Sequence, residues 1–247
     1  LSNLLDAFVK FIYHNITAIA ISSKGFESKL EPYVKKGLKF SYAPNWADDL
    51  DLNIDSIALS ATQKVHFTFA GNVTRVQNLE NIINAFCLLP YEYQKRSQFN
   101  IIGDGSYLTN LKNISSNNSN IIFHGKQIRK DMAKFYKASD FLIVSLIDEP
   151  ILSVTVPAKT QTYIAAKKPI LAIINGDVAD IVNTNNLGVS VDPSNVSLIK
   201  EAFEKCIDMS ENEKSKFIIN NSKLLETTFD KDNIINKMTS HLVCCND

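Results

Sequence analysis

The sequence predicts an α/β fold built on a parallel sheet with helices on both of its faces. Strand-length apolar runs alternate with helical patterns along most of the chain. The clearest unit begins at residues 65–70, an apolar, β-branched and aromatic run that Gly71 ends. Apolar side chains then recur at helical spacing, at Leu79, Ile82, Ile83 and Phe86. This order of strand, turn and helix is the first half of a βαβ unit.

The same alternation extends on both sides of this unit. Upstream, the patterns predict helices over 2–13 and 23–33 and strands over 17–23 and 38–43. Downstream, they predict strands over 99–102, 121–124, 141–146, 169–174 and 188–191, with helices over 108–114, 128–138, 156–166 and 178–182. The stretch from 196 to about 242 is helical in three pieces, with breaks near Met209 and Phe229. The acidic residues 47–62 are predicted to form a solvated linker.

Composition excludes several classes of protein. The net charge of zero argues against nucleic acid as the main partner. No apolar stretch of about 18 residues predicts a transmembrane helix. The cysteines show no metal-ligand spacing, so no metal site is predicted, and their use suits a reducing cytoplasm. The chain does not begin with Met and carries no signal peptide, so we expect it to be the C-terminal portion of a longer protein.

Ligands of parallel α/β sheets bind beyond the carboxyl ends of the strands. That rule selects segments rich in glycine or polar residues, namely 71–77, 103–105, 125–128, 147–157 and 175–177. Asn78 is predicted to cap the helix after the first loop, whose start and the nearby Arg75 suit a phosphate. The alternative is that Gly71 only makes the turn and Arg75 is solvated.

Four motifs in order resemble the family 4 glycosyltransferases, which have the GT-B fold. They are residues 71–85, Ile101–Gly105, Phe123–Lys126 followed by Met132, Tyr136 and Asp140, and Pro157-Ala-Lys159 followed by Tyr163 and Pro169. The last motif is similar to the Pro-Ser-Lys form of bacterial capsule and O-antigen transferases, notably the L-fucosamine transferase type. The resemblance covers about residues 17–230.

The resemblance implies a Rossmann-like C-terminal domain of the GT-B fold with a partial N-terminal βαβ segment. Residues 1–46 would end the acceptor-side domain, 47–62 would be the linker, and 63–230 would bind a nucleotide-sugar. Residues 231–247 would form a C-terminal helix that crosses back.

The resemblance also implies a retaining glycosyltransferase that moves a hexosyl or N-acetylhexosaminyl group. The donor would be a nucleotide-sugar, with UDP expected, and the acceptor a surface polysaccharide or lipid-linked glycan. The enzyme would work in the cytoplasm, at the inner face of the membrane, with no metal or other cofactor. A missing N-terminal domain or a partner chain would complete it, and this chain alone would be inactive.

The matching positions supply the candidate site residues. The donor diphosphate would meet Gly71, Asn72, Arg75, Thr155 and Lys159. The nucleoside would meet Gly103, Gly105, Lys126, Gln127, Ile128 and Thr162, and the sugar or acceptor side would involve Glu149 and Asp177. The residues themselves also allow simpler roles: Gly103 and Gly105 as turn residues, Thr155 and Asp177 as helix caps, and Lys159 as an exposed side chain. No catalytic residue is predicted.

The chain departs from the family pattern at charged positions. Thr162 and Val154 occupy positions where much of the family has glutamates, and Asn72 and Gln77 stand where Arg and Lys are common. These departures favour a second hypothesis, a non-catalytic lobe that binds a nucleotide or a partner. A nucleotide-sugar epimerase of the same fold would need acids and histidines that the sequence does not show. A dehydrogenase is disfavoured because no G-x-G-x-x-G motif follows a strand.

Overall fold

The computed structural model describes residues 2–47, 50–60 and 63–244. Residue 1, residues 48–49 and 61–62 of the predicted linker, and residues 245–247 of the predicted C-terminal helix lie outside these ranges. We call residues 2–47 the N-terminal segment. It contains α1 (Ser2–His14), β1 (Ile19–Ile21), α2 (Phe26–Leu30) and β2 (Phe40–Tyr42). Strands β1 and β2 pair in parallel, as a βαβ unit requires.

Residues 63–229 form the main domain, which holds a six-stranded sheet within the described ranges. Its strands are β3 (Val65–Ala70), β4 (Ser97–Ile102), β5 (Ile121–Gly125), β6 (Phe141–Ser145), β7 (Ile170–Ile173) and β8 (Gly188–Val191). Its helices are α3 (Leu79–Cys87), α4 (Tyr91–Lys95), α5 (Leu108–Ile114), α6 (Met132–Ala138), α7 (Ala158–Ala165), α8 (Asp177–Thr184), α9 (Val196–Asp208) and α10 (Glu211–Thr227). Helix α11 (Lys231–Cys244) follows.

The strand order is β5-β4-β3-β6-β7-β8, and every pairing is parallel. The order therefore reverses between β3 and β6. In sheets of this kind the crevice outside the carboxyl ends of the strands at the reversal is where ligands bind. The predicted α/β fold class is confirmed.

Alternating side chains cover the two faces of this sheet, as strand geometry dictates. In β6, Phe141 and Ile143 join the cluster that packs on α3 and α9, while Leu142 and Val144 join the cluster under α7 and α8. Both clusters consist of buried side chains, most of them aliphatic or aromatic. Burial of each such side chain contributes about 1.5–3 kcal/mol.

The C-terminal helices break where the sequence predicts. Helix α9 ends at Asp208 before Met209, and α10 ends at Thr227 before Phe229. Helix α11 then contacts β2 of the N-terminal segment. There the ammonium of Lys231 lies 5.8 Å from the ring centroid of Trp46, within reach of a cation–π interaction.

Several helix boundaries differ from the predicted ones because a single 3₁₀ turn or a proline intervenes. The predicted helix over 23–33 begins only at Phe26 and ends in a 3₁₀ turn at Glu31–Tyr33. The helix predicted from 128 begins at Met132 after a 3₁₀ turn, and the helix predicted from 156 begins at Ala158. The short α4 was not predicted.

The described part of the predicted linker, residues 50–60, is not a freely solvated tether. Three of its apolar side chains, Leu50, Ile57 and Leu59, pack against the core of the main domain. The ammonium of Lys137 on α6 donates to the Ile54 carbonyl oxygen at 2.7 Å. The segment is therefore held along the main domain although it forms no regular element in its described residues.

The carboxylate of Asp177 joins the N-terminal segment to the main domain. Asp177, the first residue of α8, accepts a hydrogen bond from the Ser23 hydroxyl and another from the Gly25 backbone N–H at 2.7 Å. Ser23 is only 1% exposed. A Cβ at Gly25 would lie 2.6 Å from a Val154 methyl carbon, so the two parts of the chain approach closely here.

Polar side chains replace apolar ones where β3, β4 and β5 face α6 and the linker. Asn100 Oδ1 accepts from the Gln98 amide at 2.8 Å and lies 2.9 Å from His124 Nε2. Its Nδ2 lies 3.5 Å from His66 Nδ1, and Gln98 also donates to the linker carbonyl of Leu59 at 3.0 Å. We call His66, Gln98, Asn100 and His124 the polar ladder. It runs from the linker to the end of β5.

The polar ladder predicts that stability falls in mild acid. Burial lowers the pKa of His66 and of His124; at His66 Asp140 opposes the shift and Lys64 adds to it. The unfolded chain then binds more protons than the folded one as the pH falls below the ordinary histidine value of about 6.5. The contribution of these histidines to the free energy of unfolding should therefore be complete above that pH and should decrease as the pH falls below it.

Urea unfolding followed by circular dichroism at pH 7.5 and pH 5.5 measures this change. Because exposed groups contribute to any acid dependence, the comparison is with His66→Asn/His124→Asn. That variant should lose less stability than the wild type between the two pH values. An equal loss in the two proteins would show that the ladder histidines are not responsible.

The Asp177 contact predicts a local loss of stability. Asp177→Ala leaves the buried Ser23 hydroxyl and the Gly25 N–H without their acceptor, which should cost about 1–3 kcal/mol. Trp46 is the one tryptophan of the chain and follows β2, so its fluorescence in a urea titration reports on this segment. Asp180 is an exposed acidic residue on the same helix, so Asp180→Ala is the control. It should lower the free energy of unfolding by less than about 0.5 kcal/mol. Equal costs for the two variants would refute the role of Asp177.

Candidate functional site

Three loops that follow β3, β4 and β5 are joined by backbone hydrogen bonds at the carboxyl edge of the sheet. The Gly71 N–H donates to the Ile102 carbonyl and the Val73 N–H to the Asp104 carbonyl, each at 2.9 Å. The Gly103 N–H donates to the Gly125 carbonyl at 2.9 Å. Loops that are far apart in sequence therefore form one surface.

Two glycines are required for this arrangement. Gly103 has φ +137°, and a Cβ there would lie 1.9 Å from the Gly71 carbonyl oxygen. A Cβ on Gly105 would lie 2.3 Å from the Val73 carbonyl oxygen. Both contacts are with rigid backbone, so no side chain fits at either position. Close packing of loop on loop thus explains these glycines before any ligand is considered.

The joined loops enclose a pocket of about 580 Å³, which we call the strand-end pocket. Six of its lining residues were predicted as ligand-binding from the sequence: Gly71, Asn72, Gly103, Gly105, Lys126 and Gln127. Asp104 lies in the predicted segment 103–105 but was not named as a binding residue, and Met132 and Tyr136 were not predicted to line the site. The lining combines the polar side chains of Asp104, Lys126 and Gln127 with apolar ones such as those of Ile102 and Met132.

The base of the pocket is held from behind by Tyr163. Its hydroxyl accepts from the Ala70 N–H at 3.0 Å and donates to the Ala70 carbonyl at 3.2 Å. Ala70 is the last residue of β3, directly before Gly71. The ring is completely buried and packs edge-on against Tyr136, and burial raises the pKa of its hydroxyl. Tyr163 therefore fixes the position at which the chain turns into the pocket.

Lys159 lies beneath Gly71, on the first turn of α7. Its ammonium donates to Gln77 Oε1 at 2.6 Å and lies 3.9 Å from the ring centroid of Phe69. A Cβ on Gly71 would lie 2.9 Å from the ammonium nitrogen. Burial lowers the pKa of Lys159 to about 7. The simpler expectation of an exposed lysine is therefore wrong.

Asn78 occupies the predicted cap position of α3, but its side chain does not cap the helix. Asn78 precedes α3, but it has left-handed backbone angles (φ 56°, ψ 23°), and its side chain donates to the Pro193 carbonyl at 2.8 Å. Its own N–H donates to the Arg75 carbonyl. A 3₁₀ turn at Arg75–Gln77 stands between Gly71 and α3, and the Arg75 side chain is exposed. The buried start of α3 is therefore set back from the pocket.

The predicted residues around α7 have local partners. Thr155 does not cap the helix, since Pro157 occupies the cap position and the Thr155 hydroxyl donates to the Ile151 carbonyl at 2.8 Å. The Thr162 hydroxyl donates to the Ala158 carbonyl one turn earlier at 3.2 Å. Neither is among the residues that line the strand-end pocket.

The remaining predicted residues lie around these loops. Glu149 and Ile128 are exposed, the first on the loop between β6 and α7 and the second directly after Gln127. Asp177 does not cap α8, whose cap position is Gly176, because its carboxylate is bound to the N-terminal segment. It also borders a second cavity, of about 280 Å³, together with Lys24, Tyr42 and Phe229. Burial and the nearby Asp177 raise the pKa of Tyr42.

The structure shows no helix, among the residues described, with the length and apolar character to cross a bilayer.

Solved structures share this architecture. The protein HepE of Anabaena, solved with UDP and glucose, is 13% identical, matches 98% of this chain and 67% of its own chain, and gives a TM-score of 0.77. Sucrose-phosphate synthase of Thermosynechococcus elongatus is 16% identical over 94% of this chain and 59% of its own, with a TM-score of 0.74. A TarM mutant of S. aureus, solved with UDP, fondaparinux and alpha-GlcNAc-glycerol, is 11% identical, with 95% and 45% covered and a TM-score of 0.72.

Sequence relatives agree with this likeness. A Pseudomonas aeruginosa protein named "Probable glycosyltransferase WbjE" is 26% identical over 220 residues, which make up 84% of this chain. The chain spans 54% of that relative's length. The family model of the glycosyl transferases group 1 matches residues 52–224, the range that holds all three pocket loops, Lys159 and Tyr163. The chain therefore belongs to the group 1 glycosyl transferases.

Proposed function

We propose that this chain is the donor-binding part of a retaining glycosyltransferase that uses a UDP-linked sugar. The observation that carries the proposal is the strand-end pocket. It brings Gly71, Gly103 and Lys126 together beyond the carboxyl ends of β3, β4 and β5, and β3 borders the point where the strand order reverses. Nucleotides bind at this place in open α/β sheets. The UDP bound in HepE and in TarM supports the choice of base.

The chemical groups of the donor match different parts of the pocket. The diphosphate lies over the loop at Gly71 and Asn72, two exposed residues, and the exposed Arg75 closes on it from the 3₁₀ turn. The nucleoside lies over Gly103 and Gly105, and the loop at 126–128 reads the edge of the base.

The chemistry that this part of the protein supplies is electrostatic. As the bond between sugar and diphosphate breaks, negative charge grows on the leaving oxygen, and donors fixed around it stabilise that charge. We assign this role to Arg75, which lies on the same loop, and to Lys159, whose ammonium lies 2.9 Å from the place of a Cβ on Gly71. No residue of this chain is assigned as nucleophile or general base, and no metal ion is needed for the charge balance.

The acceptor side involves residues beyond the main domain. Since the chain spans 54% of the WbjE relative, we propose that a preceding domain or a partner chain provides the acceptor site. The acceptor is a surface polysaccharide or a lipid-linked glycan, with the reaction at the cytoplasmic face of the membrane. The sugar transferred is a hexosyl or N-acetylhexosaminyl group. The glucose bound in HepE and the alpha-GlcNAc-glycerol bound in TarM are consistent with this choice.

A second candidate is a lobe that binds the nucleotide without catalysis. The hydroxyl of Thr162, which stands where much of the family has a glutamate, is bonded to its own helix at Ala158. Glu149, the nearest acid on the preceding loop, is exposed. Both candidates require nucleotide binding, and they differ in turnover by the completed enzyme.

Calorimetric titration with UDP, GDP, ADP, TDP and CDP tests the proposed donor site. UDP should bind most tightly, and Arg75→Ala should weaken it by several-fold to about a hundredfold, as expected for loss of one charge-assisted contact. Arg96→Ala is the matched control. It removes the same side chain from an exposed ion pair with Asp208, next to the amino end of β4. Its effect on UDP affinity should be less than twofold.

Two results would contradict the proposal. If none of the five nucleotides binds, the strand-end pocket is not a nucleotide site. If UDP binds but both arginine variants behave like the wild type, the diphosphate does not lie at the loop 71–77.

A further inference from the structure

We infer that Lys159 is the main phosphate-binding cation of the donor site, supplied from α7 and aimed at Gly71 by Gln77. This inference rests on the proposed function and deepens it, because it assigns the charge that holds the diphosphate. The loop 71–77 itself carries one cation, Arg75, which is exposed on the 3₁₀ turn. Lys159 comes from a position more than 80 residues later in the chain.

The position of the ammonium points to an anion above it. The nitrogen lies at the carboxyl end of β3, against the face of Phe69 and at the place where a Gly71 side chain would stand. Gly71 itself lines the strand-end pocket. Because Gly71 has no side chain, a phosphate bound on this loop approaches the ammonium without obstruction.

The surroundings of the ammonium leave its charge unbalanced. Its hydrogen-bond partner, Gln77, is neutral, and so are Phe69 and Gly71. No salt bridge to a carboxylate of the described residues compensates it, and burial is the cause of its lowered pKa. Lys159 is half-buried, and desolvation of an ammonium without a counter-ion is costly. A bound diphosphate removes that cost, so binding and protonation of Lys159 favour each other.

Gln77 explains why the lysine is held ready without its anion. The side-chain oxygen of Gln77 accepts a hydrogen bond from the Lys159 ammonium at 2.6 Å. The backbone carbonyl of Gln77 accepts one from the Ser145 hydroxyl, also at 2.6 Å. Ser145 ends β6, the strand beside β3 at the reversal of strand order. Gln77 is thus fixed to the sheet, and it fixes the lysine.

This arrangement makes donor affinity depend on pH in a definite direction. With a pKa of about 7, the free site holds Lys159 mostly charged at pH 6 and mostly neutral at pH 8. The diphosphate raises the pKa in the complex, so binding takes up a proton above pH 7. Affinity should therefore fall by up to about tenfold per pH unit as the pH rises past 7.

The test uses UDP-glucose as the probe, since its esterified diphosphate does not titrate near neutral pH. Calorimetry at pH 6 and pH 8, in two buffers of different ionisation enthalpy, measures affinity and proton uptake together. The wild type should bind about tenfold more weakly at pH 8 than at pH 6 and take up close to one proton at pH 8. This measurement needs no substitution.

Three variants separate charge from structure. Lys159→Met should weaken binding at pH 6 by about tenfold to a hundredfold and abolish the pH dependence. The swap Gln77→Lys/Lys159→Gln returns an ammonium to the same place from the loop, so it should recover most of the affinity lost in Lys159→Met. Lys216 is an exposed lysine on α10, so Lys216→Met is the control, and its affinity for UDP-glucose should match that of the wild type.

The outcomes distinguish the inference from the proposed function. If UDP-glucose binds to the wild type with no pH dependence, no proton uptake and no effect of Lys159→Met, the donor site stands and the role of Lys159 is refuted. If Lys159→Met loses binding but the swap restores none of it, the lysine is structural and the inference fails. If the wild type does not bind UDP-glucose at all, both are overturned.

Discussion

The backbone of Gly103 packs directly on the carbonyl of Gly71, and the carboxyl edge of the sheet depends on this close approach. The oxygen lies 1.9 Å from the place where a Cβ would be, so the two loops meet only because position 103 has no side chain. Hydrogen bonds from Gly71 to β4 and from Gly103 to β5 then hold three strand ends in one surface. This backbone contact sets the shape of the pocket, and the residues of the three loops supply its lining.

Contacts between distant parts of the chain then hold this surface in position. Tyr163 fixes the end of β3 from behind, Gln77 and Lys159 join the first loop to α7, and Asp177 ties the N-terminal segment to α8. Each interaction involves a buried or half-buried polar group with a specific acceptor. Removing one partner leaves the other desolvated, which costs more than the bond itself contributes. These contacts therefore hold the edge of the sheet at which we propose that the donor binds.

Much of the fold could be predicted from the sequence because strands and helices leave a local pattern. The bounds of β3 and β8 and the breaks near Met209 and Phe229 are confirmed, since apolar periodicity and turn residues mark them directly. The starts of α6 and α7 are wrong by two to four residues, because a 3₁₀ turn or a proline lets the chain enter the helix late.

The candidate site was predictable only in part. Strand-end glycines and the loop at 126–127 follow from topology, and the pocket unites them. The partners of Lys159 and Asp177 lie 82 and 154 residues away along the chain, and no periodic pattern records such a contact. The polar ladder was missed for the same reason, because His66 and His124 look like ordinary strand residues until β4 places Asn100 between them.

A crystal structure of this chain with UDP tests the central claim most directly. The account predicts the diphosphate over Gly71 and Asn72, with a phosphate oxygen within hydrogen-bond distance of the Lys159 ammonium and the uracil against residues 126–128. UDP bound instead in the cavity between Lys24, Tyr42 and Asp177, with the strand-end pocket empty, would contradict it.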